Sequence, residues 1–417
     1  MAQAKQKKIR PPSPAQQPDV TGHWATAFKS PCAEPEQKLL WLKVTLSATL
    51  IGAFGLTWKL WVSSRLFPLS PVSRSLPLVP FPLDVIWLGL ILSLLLAVVV
   101  VKQPRTFIFS FLILAGLLSL WDQMRWQPWF YQCCLMLAAM GLYAWKKSGV
   151  QNYQAALNTC RVIVAFTYFW SGVQKLNVSF VRETWPAMAG PFLRLLPQMA
   201  RKVPPLLLLA IPLFEILIGL GLITRRYRNA AAVLAMGTHL FVLMVLIPSG
   251  ENTVVWPWNI TMVLFVLILF WQDKETSGRR IFLPKNAFHA VVLLLFGVLP
   301  AFSLIGIWDS FLSSALYSGN TDEAVILVSH GEIDHLPEYI HQYAREGSYW
   351  FFLDINRWAY GELNVPVYPE PRIYRSVARQ ICTYDKNPSE IKLMIRKRPG
   401  PITGHREDEF YDCDHLR

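Results

Sequence analysis

Lys175 is the residue whose setting most needs a chemical explanation. It closes an apolar helical run in Trp170-Ser-Gly-Val-Gln-Lys-Leu176, where packing alone gives no reason for an ammonium group. A lysine held away from water at the end of a membrane span can surrender its proton and act as a base; the same residue can also snorkel to the headgroups as an anchor. Other polar groups join it if the chain crosses a bilayer as its hydropathy predicts. Asp84 opens the second apolar stretch, Trp121-Asp-Gln-Met-Arg-Trp-Gln-Pro-Trp129 joins the third and fourth, and Pro248-Ser-Gly-Glu-Asn252 joins the seventh and eighth. These segments and Lys175 fall on one side of the membrane. A shared pocket there would set Lys175 against Asp122 or Glu251 as acid–base groups. Arg125 would polarise or hold an anion, and Trp129, Trp185 and Asn252 would line the substrate site. The alternative is a set of ordinary interfacial caps and ion pairs. Two residues lie deeper: Glu215 in Ile211-Pro-Leu-Phe-Glu-Ile-Leu217 and His239 in the next span. Antiparallel neighbours would bring them together, as a structural hydrogen bond or as part of a proton relay.

The elements that would position these groups follow from composition. Hydrophobic residues make up 53% of the 417-residue chain and charged residues only 16%, and mean hydropathy is +0.32; soluble domains carry about 25% charged residues. About nine stretches approach the roughly 20 residues that cross a bilayer, near 39–62, 82–101, 106–121, 128–145, 160–177, 203–222, 229–248, 254–271 and 287–307. The third and fourth are short. The 17 Trp residues suit interfacial belts. The fold class expected is a polytopic α-helical membrane protein with about nine spans and a small C-terminal α+β domain outside the membrane.

The net charge of +13 belongs to the membrane part: 28 of the 40 Lys and Arg precede residue 308, whereas acidic residues prevail after it. Anionic headgroups account for the basic loops, and no nucleic-acid partner is implied. The positive-inside rule places the N-terminus, with Lys5, Lys7, Lys8 and Arg10, in the cytoplasm together with Lys146, Lys147, Arg225, Arg226, Arg228, Lys274, Arg279 and Arg280. An odd number of spans then puts the C-terminal domain on the outer, periplasmic or lumenal, side.

Three regions result: a Pro-rich disordered basic tail (1–38), a helical body (39–307) and the small domain (308–417). Arg182 to Lys202 reads as an interfacial or re-entrant segment. In the small domain Glu323–Ser329 and Glu390–Arg396 read as strands, with helical pieces near 335–345 and 372–382, making a lid over the outer face. Cys382 and Cys413 could join in a disulfide in an oxidising compartment; Cys133 and Cys134 read as buried inert thiols. His330, His335 and His341 stand among acidic residues on a solvated face, and no metal is expected. The sequon at Asn259 lies inside a span and carries no glycan signal.

Phe169-Trp-Ser-Gly-Val-Gln-Lys-Leu176, with Arg161 upstream, resembles the Gly-Val-x-Lys-Leu segment of the HTTM membrane domain found in vitamin K-dependent γ-carboxylases and related to DoxX-like redox-associated membrane proteins. Phe214-Glu-Ile-Leu-Ile-Gly-Leu-Gly-Leu222 followed by Thr224-Arg-Arg226 resembles the DoxX-type glutamate helix. Gly237-Thr-His-Leu240 through Pro257-Trp-Asn259 resembles the next helix pair. The likeness covers about residues 105–275. It implies that Lys175 is the base toward a reduced vitamin K-like quinone, with oxygen chemistry to follow. Two features depart from the family: Gln174 stands where the second of its paired lysines would be, and about 110 residues replace its large lumenal region. The expectation is a quinone-linked redox or carboxylase-like enzyme whose lipid-soluble substrate enters from the bilayer, with a membrane redox partner possible. The alternative is a non-enzymatic membrane scaffold or assembly partner of a redox complex. A transporter would need polar groups along a path through the midplane, for which Glu215 and His239 alone are thin.

Overall fold

The computed structural model describes residues 34–145, 152–198, 204–273, 276–283, 286–384 and 390–416. The predicted tail therefore lies, up to residue 33, outside the described residues. The body is built from helices α1 (Pro35–Leu56), α2 (Leu83–Val100), α3 (Arg105–Leu120), α4 (Pro128–Tyr143), α5 (Tyr153–Lys175), α6 (Trp185–Leu193), α7 (Ala210–Ile223), α8 (Arg228–Leu246), α9 (Val255–Leu269) and a final helical segment α10 (Ala287–Ile305).

Helix occupies all nine predicted stretches, yet among the described residues only five are both long and apolar enough to cross a membrane: Pro35–Leu56, Leu83–Val100, Pro205–Ile223, Arg228–Ser249 and Ala287–Ile305. Length and hydropathy thus carry five of the nine expected spans. Helices α3 and α9 are apolar but short, α4 has 16 residues, and α5 has ample length but carries Arg161, Gln174 and Lys175. The long helices bury one stripe and leave apolar side chains outside. In α1, Leu39, Leu42, Leu46 and Leu50 are buried whereas Leu40 and Trp41 are exposed; in α2, Ile86, Leu90 and Leu96 face outward. An apolar outer face suits a lipid surround.

Close helix contact comes from glycine. A Cβ on Gly172 of α5 would lie 2.5 Å from the Pro212 carbonyl oxygen and 2.8 Å from the Ile216 nitrogen, and one on Gly219 of α7 would lie 2.8 Å from the Ala165 oxygen and the Phe169 nitrogen. Small residues on both helices thus let the two backbones touch, which brings the end of α5 against the first turns of α7.

The small domain is a five-stranded antiparallel sheet of β1 (Glu323–Ser329), β2 (Ala344–Glu346), β3 (Trp350–Asp354), β4 (Ile391–Arg396) and β5 (Asp408–Asp412), in the order β2-β3-β1-β4-β5. Val325 on the central strand stands opposite Asp354 on one side and Met394 on the other. Ile391, Leu393 and Ile395 of β4 point inward, and helices α11 (Ile355–Leu363) and α12 (Pro371–Ile381) pack on the sheet. Both predicted strands are present. The helix expected near 335–345 is only a single turn, Glu338–His341, followed by β2. Cys382, just past α12, is bonded to Cys413.

This domain covers the end of the body at which α5 terminates. Asn364 donates to the Leu56 carbonyl at 3.1 Å and accepts from the Thr253 amide at 2.9 Å; Gln127 donates to the Pro366 carbonyl at 3.2 Å; Val178 donates to the Pro401 carbonyl at 3.0 Å. The lid therefore rests on several helix ends at once.

Candidate functional site

Lys175 does not meet Asp122 or Glu251. Its Nζ lies 2.8 Å from Glu215 Oε2, and it also donates to the Ser171 hydroxyl one turn back. Both charged side chains are about nine-tenths buried, at 10% and 11% exposure. Glu215 sits in the second turn of α7, which starts at Ala210, and the lysine stem reaches it.

His239 correspondingly does not pair with Glu215. Its Nε2 lies 2.6 Å from the Tyr168 hydroxyl and its Nδ1 lies 2.7 Å from Asn259 Oδ1. The Asn259 amide group donates to the Val255 carbonyl at 2.7 Å, which turns its oxygen toward the imidazole. An amide oxygen only accepts, so Nδ1 carries the hydrogen and Nε2 accepts from Tyr168.

These two clusters share one chamber. A cavity of about 620 Å³ is lined by Lys175, Glu215, Ser171, Tyr168, His239 and Asn259 on its polar side, with apolar walls including Phe214, Ile218, Val242 and Met262. Trp185 also lines it, stacked on Phe241 with ring centres 6.2 Å apart; its indole nitrogen is buried and without a protein partner. Gln132 accepts from the Trp258 indole at 2.8 Å and closes another part of the wall.

The remaining expected site residues lie elsewhere. Asp122 is 2.7 Å from Arg65 and caps the turn Gln123–Arg125 through the Met124 amide. Arg125 donates to the Leu60 carbonyl at 2.9 Å and to that of Leu118, so it joins helix ends instead of facing a ligand. Trp129 packs against Phe54 and Trp61 in an aromatic cluster. Glu251 is exposed. Asn252 is buried behind the wall, donating at 2.6 Å to the hydroxyl of Tyr317, which does line the cavity. Burial raises the Tyr317 phenol to about 12, so it stays protonated as a neutral wall group. Asp84 accepts from the Ser63 amide at 2.8 Å.

Tyr168, Ser171 and Asn259 were the residues missed. Tyr168 and Ser171 precede Lys175 by seven and four positions, the spacing of one helix face. Asn259, set aside as a sequon, is the group that fixes the imidazole. Among the described residues no three His, Cys, Asp or Glu side chains gather as a metal site needs; His335 pairs with Glu332 at 2.9 Å, and His341 donates to the Ile333 carbonyl at 2.9 Å.

Comparison with protein-family models, with curated proteins and with solved structures finds no match to this chain.

Proposed function

We propose that this chain is a multi-pass membrane enzyme that binds a lipid-soluble, quinone-linked hydroxyaromatic substrate and takes a proton from it at the Lys175–Glu215 pair, in a redox or carboxylase-like reaction. The observation that carries this reading is the position of Lys175: buried, paired with a carboxylate at 2.8 Å, and in the wall of an apolar cavity. An anchoring lysine would send its ammonium to the headgroups. The likeness of residues 169–176 to the HTTM lysine segment adds support.

The proton step follows from the pair. In an apolar surround, ammonium and carboxylate can exchange their proton to become amine and carboxylic acid. The neutral Lys175 Nζ then accepts the proton of a substrate hydroxyl, so the proton gained resides on Glu215 and the restored ammonium faces the oxyanion. The apolar walls and the lid keep water from that charge. We place the N-terminus in the cytoplasm and the lid outside, on the distribution of Lys and Arg.

The scaffold reading retains one observation: Tyr349, Ile402 and Phe410 of the small domain are exposed apolar side chains. Quinone binding to the purified protein, followed by tryptophan quenching, separates the two. Saturable binding in the wild type, lost in Lys175→Ala and uncoupled from turnover in Lys175→Arg, is expected, because arginine keeps the charge but does not deprotonate. A folded wild type that binds neither a quinone nor its reduced diol would overturn the enzyme reading in favour of the scaffold.

A further inference from the structure

We infer that Tyr168, His239 and Asn259 form a second polar pole of the cavity, one that reads a hydroxyl and rejects a carbonyl, so the site selects the reduced diol form of its ligand over the dione. The inference rests on the reading of this cavity as the ligand site.

The direction of the hydrogen bonds sets the selectivity. The Asn259 amide is committed to the Val255 carbonyl, its oxygen holds His239 Nδ1–H, and His239 Nε2 is left to accept at 2.6 Å. Tyr168 has one hydroxyl hydrogen, and this bond uses it. What Tyr168 can still present to the cavity it lines is an oxygen lone pair. A ligand hydroxyl can donate to that oxygen; a ligand carbonyl would meet it lone pair to lone pair. Leaving a buried polar group unpaired is where discrimination between such analogues is largest.

The two poles are spaced for a ligand with an oxygen at each end of a ring system. Tyr168 and Lys175 are seven residues apart on α5, hence on one face and about 10 Å apart along the axis. The lysine Cβ leans toward the helix N-terminus, and so toward Tyr168. Ser171, between them on the same face, holds the ammonium at the Glu215 end. One hydroxyl would meet the Lys175–Glu215 pair while the other meets Tyr168.

The test is an anaerobic titration of the detergent-purified protein with a para-naphthoquinone and with the diol made from it by dithionite. The wild type is expected to bind the diol at least tenfold more tightly than the dione. Tyr168→Phe should weaken diol binding about tenfold and leave dione binding within twofold, a split that general damage to the fold would not produce. Asn259→Leu removes the acceptor that fixes Nδ1–H and lets the imidazole reverse its tautomer, so it should erode the same preference while Lys175 and Glu215 remain intact. Equal affinity of the wild type for both forms, or a preference unchanged in Tyr168→Phe, would overturn this inference and leave the cavity as a ligand site. Failure of the wild type to bind either form would overturn both.

Discussion

Replacing Lys175 by Met should destabilise the protein by about 3–5 kcal/mol, the cost of leaving a buried charge without its partner. The magnitude follows from the geometry. At 2.8 Å and an effective dielectric of about 20, the attraction is about 6 kcal/mol, and most of it offsets the dehydration of two side chains that keep only about a tenth of their exposure. Glu215→Leu alone should cost a similar amount. The double variant Lys175→Met/Glu215→Leu should return to within about 1 kcal/mol of wild type, because an apolar pair of similar volume has no charges to dehydrate. Reversible unfolding in mixed micelles measures all four corners of the cycle. The double variant should nevertheless bind no quinone, which separates the stability of the bundle from its chemistry. A cost below about 1 kcal/mol for Lys175→Met would mean a pair as solvated as a surface ion pair, and the case for a desolvated base would fail. A double variant as unstable as the sum of the singles would refute the pairing itself.

Gly172→Ala should cost about 1–3 kcal/mol, since its Cβ would meet the Pro212 carbonyl oxygen at 2.5 Å, whereas Gly116→Ala, which meets nothing within 4 Å, should be neutral in the same unfolding assay. The same substitution at Gly172 should weaken quinone binding by pushing α5 from α7. Cys382→Ser opens a bond that spans 31 residues and should lower the stability of the small domain by about 3–4 kcal/mol on the loop-entropy estimate, read by protease susceptibility with and without reductant. Glu370 is held above its ordinary 4.5, chiefly by burial, although the Ser310 amide works in the opposite sense. An acid raised in the fold binds its proton more tightly there than in the unfolded chain, so its penalty is absent below the ordinary value and complete above the raised one. Glu370→Gln should therefore stabilise the domain at neutral pH, with the gain vanishing on acidification below about 4.5; a gain that persists at low pH would contradict the assignment.

The helices and two of the five strands were legible because hydropathy and β-branched runs are local signals. Lys175 was legible for a related reason, a charge in an apolar run. Its partner was not. Asp122 and Glu251 stand in loops that topology places on the same side as Lys175, whereas Glu215 reads as a mid-span acid suited to His239. The deciding feature is the glycine contact between α5 and α7, a three-dimensional fact that Gly172 and Gly219 encode only as a pair. Tyr168 and Asn259 escaped notice because tyrosine and asparagine inside spans carry no charge to flag them. The heptad spacing from Tyr168 to Lys175 was present, but one helix face gains meaning only when a cavity lies against it.

That cavity is what distinguishes this cluster from the other buried charges in the bundle. Asp122 closes with Arg65 and Arg125, which also donate to the Leu60, Phe67, Pro68 and Leu118 carbonyls. Near the opposite end of α5, Asp273 closes with Arg161 at 2.8 Å and Arg228 at 3.7 Å, and those arginines cap the Leu269, Leu222 and Ile223 carbonyls. Both clusters turn inward and fasten helix ends. The Lys175–Glu215 pair and the Tyr168–His239–Asn259 chain instead stand along one side of a chamber whose other walls are apolar. Polar groups in a bilayer are expensive, and a bundle that needed only fastening would have no reason to line an apolar cavity with them. A ligand with two polar ends on an apolar body meets both requirements of that space.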